Sequence, residues 1–282
     1  MKRDALSSCH PAVAFSFFAI VLTCTAFWMH PVSLAISLVC AALYAAHLGG
    51  VRDTLRYLIP MALLAAVVNP LFSHAGATVL AYLPSGNPLT LESILYGVAA
   101  GAMLAAVVLW LRCCTAVLTA DKFVWLFGKA VPTVSLLLSM TLRFVPRFRQ
   151  RYRAVSEARR GMDSSRVRHA FAVLSVTVTW SMETAIETAD SMKCRGYGLP
   201  GRTSYSIYRL SARDKYLLSF FAVCAAYLAA GRLAGALGWA WYPVLRGSAD
   251  VWFQLAFAAL CLTPMILNGW EERAWRISNS AI

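Results

Sequence analysis

Two arginines are each followed at once by a glycine, at points where an amphipathic helical pattern ends. Arg160 precedes Gly161 in EARRGMD, and Arg195 precedes Gly196 in MKCRGYG. A guanidinium stays charged at physiological pH, and its planar fork of N–H groups binds a carboxylate through two parallel hydrogen bonds. An arginine at a helix tip is therefore suited to binding a carboxylate in a defined direction.

Local structure offers a second explanation of the same ending. Glycine adopts the left-handed conformation that commonly terminates a helix, and a cation in the last turn interacts favourably with the helix dipole by about 0.3–1 kcal/mol. This explains each ending taken singly. It does not explain why the ending occurs twice within a strongly basic region, since residues 143–215 contain 15 Lys or Arg against six Asp or Glu.

Two predicted helices carry these arginines, because apolar residues recur every three or four positions along both. The apolar stripe of the first helix consists of Phe144, Phe148, Tyr152, Val155, Ala158 and Met162. Arg143, Arg147 and Arg151 line another face. The stripe of the second helix consists of Phe171, Leu174, Val178, Met182, Ala185, Ala189 and Met192. We expect two long amphipathic helices, with Pro146 in a first turn or at a kink and Ser165 as an N-cap.

The rest of the chain is typical of an integral membrane protein. Of its 282 residues, 59% are apolar and only 14% are charged, against about 25% charged in soluble domains. A net charge of +13 does not indicate nucleic acid binding here, because most of the chain is apolar. A span needs about 20 apolar residues, and the candidates are residues 12–29, 32–48, 58–72 (broken by Asn69-Pro70), 93–118, 216–241 and 251–270. The predicted fold class is an all-α polytopic membrane protein with about six transmembrane helices.

Lys and Arg in the loops predict the orientation, because they stay on the cytoplasmic side. With six crossings nearly all of them fall on one side, which places both termini in the cytoplasm of a multi-pass plasma (inner) membrane protein. Residues 123–140 form one further apolar segment, which we interpret as interfacial or re-entrant. The predicted divisions are N-terminal membrane helices in 1–142, a cytoplasmic helical region in 143–215 and C-terminal membrane helices in 216–282.

Other residues are better explained by packing than by chemistry. Gly97 with Gly101, and Gly231 with Gly235, are pairs of small residues that let membrane helices pack closely. The eight cysteines lie mostly in apolar runs without a C-x-x-C pair, and the five histidines are scattered. The sequence therefore predicts no metal site.

The chain resembles the transmembrane T component of energy-coupling factor (ECF) transporters, the CbiQ-like family. The resemblance covers roughly residues 58–208 and rests on NPLF at 69–72, on DKFVWLFGKAVPTVSLLLSMTLRFVP, and on the two arginine motifs that end the cytoplasmic helices. It implies a non-catalytic subunit that couples two ABC ATPases to a separate S-type, substrate-binding membrane subunit. The implied cargo is a vitamin or a transition-metal ion, and ATP binds to the partner subunits, so this chain needs no cofactor.

In that family each motif arginine docks into a groove of one ATPase. By position, the second motif is Cys194-Arg195-Gly196, with Cys where the family usually has Ala. The first motif is ambiguous, because Ala158-Arg159-Arg160 fits literally, whereas alignment on Gly161 selects Arg160 as the key residue. Neighbouring helical residues point about 100° apart, so one groove accepts only one of the two arginines. The glycine favours Arg160.

Two other functions compete with this interpretation. A conventional ABC importer permease would also contact ATPases but would conduct the substrate itself. An intramembrane peptidase is suggested by EERAWR at 271–276, where paired glutamates would activate water, but that chemistry also needs histidines that do not follow. A solvated tail behind the last span explains these residues better.

Overall fold

The computed structural model describes residues 4–49, 51–73, 76–82, 88–128, 132–162, 165–200, 208–235 and 237–280. Its helices are α1 Ala5–Ser8, α2 Pro11–Phe27, α3 Pro31–Leu48, α4 Val51–Phe72, α5 Leu91–Val117, α6 Ala120–Gly128, α7 Pro132–Ala158, α8 Arg166–Cys194, α9 Ala212–Leu233 and α10 Val251–Ser280. Its strands are β1 Val79–Tyr82, β2 Pro88–Thr90, β3 Leu237–Ala240 and β4 Arg246–Ala249. The chain forms two compact units, one of Met1–Thr119 with Tyr208–Ile282 and one of Ala120–Ile207.

A helix lies at each of the six predicted membrane positions. Four helices are long and apolar enough to cross a bilayer, and they are Pro31–Leu48, Leu91–Val117, Ala212–Leu233 and Val251–Arg273. Two shorter apolar helices, Pro11–Phe27 and Leu58–Phe72, occupy the other predicted positions. A mostly helical membrane protein is therefore confirmed, whereas the number of six crossings stays a prediction.

Several predicted boundaries were wrong. α4 continues through Pro60 and Pro70, so the break predicted at Asn69-Pro70 does not occur. α9 ends at Leu233, where Gly235 adopts a φ of +80°. The apolar residues that follow are not helical but form β3, which pairs with β4 in an antiparallel hairpin.

Two hairpins and the α2–α3 connection meet at one end of the first unit, which we call the hairpin end. The backbone N–H of Ala77, next to β1, donates to the carbonyl of Pro243 at 3.1 Å. The indole N–H of Trp241 donates to the carbonyl of Met29 at 2.8 Å. The ring of Tyr96 in α5 contacts Trp241, with 5.8 Å between the centroids. The connections after α2, α4 and α9 therefore share one end, as helices that alternate in direction require.

His30 caps α3 at the hairpin end. Its Nδ1 accepts a hydrogen bond from the backbone N–H of Val32 at 3.2 Å, and its ring packs edge-on against Trp239. The imidazole is only 3% exposed. Because burial disfavours the charged form, the pKa of His30 is lowered from its usual value.

Buried polar groups tie the chain together at the opposite end. The carboxylate of Asp4 accepts hydrogen bonds from the Tyr44 hydroxyl at 2.9 Å and from the Asn268 amide at 2.8 Å. The amide oxygen of Asn268 accepts the backbone N–H of Ala5 at 2.6 Å. The first residues of the described chain are thereby fixed to α10. On this side Arg112 also donates to the carbonyl of Gly49 at 3.0 Å, at the end of α3.

Aromatic side chains fill the centre of the first unit. The ring of Phe17 lies 5.2 Å from that of Phe18 and 5.8 Å from that of Trp110, and Tyr44 lies 6.2 Å from Trp110 between centroids. The indole N–H of Trp110 donates to the hydroxyl of Ser37 at 3.0 Å, so its one polar atom is satisfied. The interior between these helices is consequently packed.

One of the two predicted glycine pairs brings helices together. A Cβ at Gly97 would lie 2.5 Å from the carbonyl oxygen of Ala66, and one at Gly101 would lie 2.6 Å from that of Ala62. α5 therefore approaches the backbone of α4 as closely as glycine allows. Gly235 has no such neighbour within 4 Å, because it lies beyond the end of α9.

The second unit contains α6, α7 and α8. The apolar segment predicted at 123–140 is not one helix, because α6 ends at Gly128 and α7 begins at Pro132. The two helices contact each other where the hydroxyl of Ser135 donates to the carbonyl of Val124 at 3.2 Å. Pro146 lies in the interior of α7, so its placement in a first turn was wrong. Whether this segment is interfacial or re-entrant stays a prediction.

Candidate functional site

The second arginine motif lies at a closed helix end. The N–H of Gly196 donates to the carbonyl of Lys193, and that of Tyr197 donates to the carbonyl of Met192, both at 3.0 Å. These two bonds, with a φ of +78° at Gly196, form a Schellman motif. Arg195 is the C-cap residue of α8, and its side chain is exposed.

The first arginine motif ends its helix by a different turn. α7 ends at Ala158, after which the N–H of Arg160 donates to the carbonyl of Glu157 and that of Met162 donates to the carbonyl of Arg159, both at 3.1 Å. Gly161 has a φ of +92°, so its left-handed conformation requires glycine as at Gly196. Each predicted key arginine thus directly precedes a glycine in the left-handed region.

The candidate side chains differ in exposure. Ala158 and Arg160 are exposed, whereas Arg159 is half-buried and takes part in an interaction within the chain. Cys194 is exposed and is the one exposed cysteine of the eight. The assignment of Arg160 rather than Arg159 as the first motif arginine stays a prediction, to which this difference in exposure adds support.

α7 and α8 pack as an antiparallel pair. The ring of Phe148 contacts that of Trp180 at 5.8 Å, and nearer the turn the hydroxyl of Ser156 lies 3.2 Å from Nε2 of His169. The C-terminal end of α7 is therefore next to the N-terminal end of α8. The two arginine motifs lie at opposite ends of α8, whose 29 residues span about 42 Å at 1.5 Å per residue.

The predicted apolar stripe of α8 does not face α7. Phe171, Leu174 and Met182 are 69%, 52% and 64% exposed, whereas Val173 and Thr177 are buried. The packed face instead consists of His169, Val173, Thr177 and Trp180. These residues also recur at helical spacing, but they were not predicted as the buried face. Trp180 is central to it, because the guanidinium of Arg151 also lies 5.6 Å from the centre of its ring.

The charges of the motif arginines are uncompensated within the described part of the second unit. The ion pair observed there joins Lys193 to Asp190 at 3.5 Å, with both side chains largely exposed. Among the described residues, neither Arg160 nor Arg195 forms an ion pair. Both guanidiniums are thus available to acidic groups of another molecule.

The glutamates considered for peptidase chemistry have a different environment. Oε1 of Glu271 accepts a hydrogen bond from Nη1 of Arg213 at 2.7 Å, and the hydroxyl of Ser8 lies 3.3 Å from the same oxygen. Arg213 also donates to the hydroxyl of Ser8 at 3.2 Å. Glu271 therefore joins α10 to the beginnings of α9 and of the described chain.

Comparison with known proteins supports one family. Over 117 aligned residues the chain is 32% identical to the energy-coupling factor transporter transmembrane protein EcfT of Lactobacillus helveticus (strain DPC 4571). The match covers 36% of this chain and 42% of that protein, which is less than half of the relative's length. No family model matches the chain. This distant similarity supports a relationship to the T components of ECF transporters.

Proposed function

We propose that this chain is the membrane coupling subunit of an ATP-driven ECF-type importer. In this role Arg160 and Arg195 each bind one of two ABC ATPase subunits, which bind and hydrolyse the ATP. α7 and α8 transmit the movement of the ATPases to a separate S-type membrane subunit that binds the substrate. The chain itself is non-catalytic and lies in the plasma membrane with both termini in the cytoplasm. A vitamin or metal ion as cargo follows from the family resemblance alone.

The observation that carries this proposal is the placement of two exposed arginines, neither with an ion pair among the described residues, at opposite ends of one helix. A separation of about 42 Å exceeds what one groove accommodates, so two binding surfaces are required. Each arginine also extends from a backbone turn that Gly161 or Gly196 closes in the left-handed conformation. A guanidinium held in this way meets a carboxylate in a defined direction, and removing one partner of a buried interfacial charge pair typically costs about 2–5 kcal/mol.

The packing of the first unit supports coupling rather than conduction through a single copy of the chain. Phe17, Phe18, Tyr44 and Trp110 occupy the space between its helices, and the two hairpins lie over one end. A chain that conducts substrate by itself needs an opening along this axis, whereas a permease made of two copies could conduct between them. The ABC permease remains the competing function that the experiment below separates from the proposal.

The test is the composition of the complex that purifies with a tagged chain from its native membrane. We expect two ATPase subunits, one copy of this chain and one small additional membrane protein. Two copies of this chain with the ATPases would instead identify a conventional permease. The variant Arg195→Glu should lose the ATPases, whereas Arg147→Glu, which reverses an exposed charge in the middle of α7, should retain them. Equal retention by both variants would refute the assigned role of Arg195.

A further inference from the structure

One face of α7 changes its chemistry along the length of the helix. Its first part is aliphatic and exposed. Val134 and Val145, at the two limits of this part, are 59% and 49% exposed. The second part is cationic and aromatic. The exposed residues of this face are Val134, Leu138, Leu142, Val145, Arg149, Tyr152 and Arg153. At 3.6 residues per turn they fall within an arc of about 100°, which we call the α7 arc.

The exposed residues of the α7 arc end at Arg153, before Ser156, which lies on the same side of the helix and contacts His169 of α8. The side of α7 that packs on α8 carries Phe148, in contact with Trp180, and the half-buried Phe144 and Val155. Those positions follow a different line along the helix. The α7 arc is therefore not covered by the neighbouring helix of its own unit.

α6 extends the apolar part of this surface. It contacts the beginning of α7 through the bond between Ser135 and Val124. Its Phe123 and Phe127 rings lie 4.7 Å apart, and each side chain is 46% exposed. The beginning of α7 and the neighbouring α6 thus both carry exposed apolar side chains, whereas the arginines of the arc lie further along α7.

The order of these groups along the arc matches the surface of a bilayer, where an amphipathic helix buries its apolar side chains about 5–10 Å into the boundary between headgroups and acyl chains. Tyrosine and arginine next follow along the arc, and these are the residue types that concentrate at the level of the headgroups. A protein groove would not require this sequence of aliphatic, then aromatic and cationic side chains.

We infer that the α7 arc is a lipid-binding surface, in which the aliphatic part enters the leaflet and Arg149 with Arg153 binds the phosphate of an anionic phospholipid. The two arginines are four residues apart, so their side chains lie on the same side of the helix. Both are exposed, and guanidiniums bind phosphate oxygens bidentately. This inference goes beyond the proposed function, because it concerns the chain alone and needs no ATPase.

The headgroup site is tested by titrating phosphatidylglycerol into the delipidated full-length chain and counting bound lipids by native mass spectrometry. A basic residue near an anionic surface contributes about fivefold in affinity. The double variant Arg149→Gln/Arg153→Gln should therefore raise the half-saturating lipid concentration roughly 25-fold. The matched control Arg166→Gln/Arg168→Gln removes the same charge from exposed positions of α8. It should change the half-saturating lipid concentration less than about twofold. Equal shifts in both variants, or equal binding of phosphatidylcholine, would overturn the headgroup site.

The embedded part is tested by spin labels in the reconstituted chain. Cys194→Ala removes the exposed native thiol, and labels are then placed at Leu138→Cys and, for comparison, at Ala158→Cys. In vesicles that contain phosphatidylglycerol, the label at 138 should collide with oxygen more than with a water-soluble nickel chelate, and the label at 158 should show the reverse. A label at 138 that is open to the chelate, or shielded from both reagents by protein, would contradict immersion in lipid.

Discussion

The separation of Arg160 and Arg195 predicts how their substitutions combine. Under the proposed function, replacing either by alanine removes one charged partner from the interface with an ATPase, at a cost of about 2–5 kcal/mol. At 2 kcal/mol the affinity for the ATPase pair falls about 30-fold. Sites more than about 10 Å apart with no shared contacts contribute additively to within about 0.5 kcal/mol. Since the two arginines lie at opposite ends of a helix about 42 Å long, the affinity of the double variant should fall about 900-fold or more.

The assay is the dissociation constant of each variant for the ATPase pair that purifies with the wild-type chain, measured in one detergent by surface plasmon resonance. Arg147→Ala, at an exposed site within α7, is the control for lost charge. Arg159→Ala compares the two candidates of the first motif and should have a smaller effect than Arg160→Ala. The reasoning is refuted if the double variant binds no more weakly than the weaker single variant, because both arginines would then act at one site.

Two further predictions concern the first unit. Gly97→Ala places a methyl group 2.5 Å from the carbonyl oxygen of Ala66. The free energy of unfolding, measured by thermal unfolding, should therefore fall by about 1–3 kcal/mol. Gly269→Ala meets nothing within 4 Å and should leave stability unchanged or raised, and equal losses in both would contradict the packing described. The lowered pKa of His30 means that its contribution to stability is present above the unfolded value of about 6.5 and is lost as the pH falls. His30→Asn keeps a capping acceptor but does not titrate, so its unfolding temperature should fall less than that of the wild type between about pH 7.5 and about pH 5, whereas parallel curves would exclude His30 as the cause.

Hydropathy located the apolar helices well, because a bilayer requires a long apolar run whatever the neighbouring helices are. It failed at the end of α9, where apolar residues up to Trp241 were assigned to the span. Those residues are apolar because they pack in a hairpin, with Trp241 bonded to Met29. A count of apolar residues does not distinguish a membrane environment from a packed strand.

The limits of α7 could not be read from residue types either. Residues 132–142 are uncharged and residues 143–153 are rich in arginine, so the sequence analysis placed a boundary near Arg143. The backbone is helical on both sides of it, since Pro146 is accommodated within the helix. By contrast, both Arg-Gly endings were predicted, because the left-handed glycine is a local requirement of the helix end. Which face of α8 is buried depended on α7 and was not predictable from α8 alone.

The length of α8 has a consequence for the choice of ATPases. A continuous helix of 29 residues keeps a fixed length, because it neither stretches nor shortens appreciably when force acts on its ends. Under the proposed function, only a pair of ATPase subunits whose grooves match that length during the catalytic cycle can bind both arginine motifs of this chain. Coupling chains with helices of another length should accordingly not be interchangeable with it, even where their arginine motifs are identical.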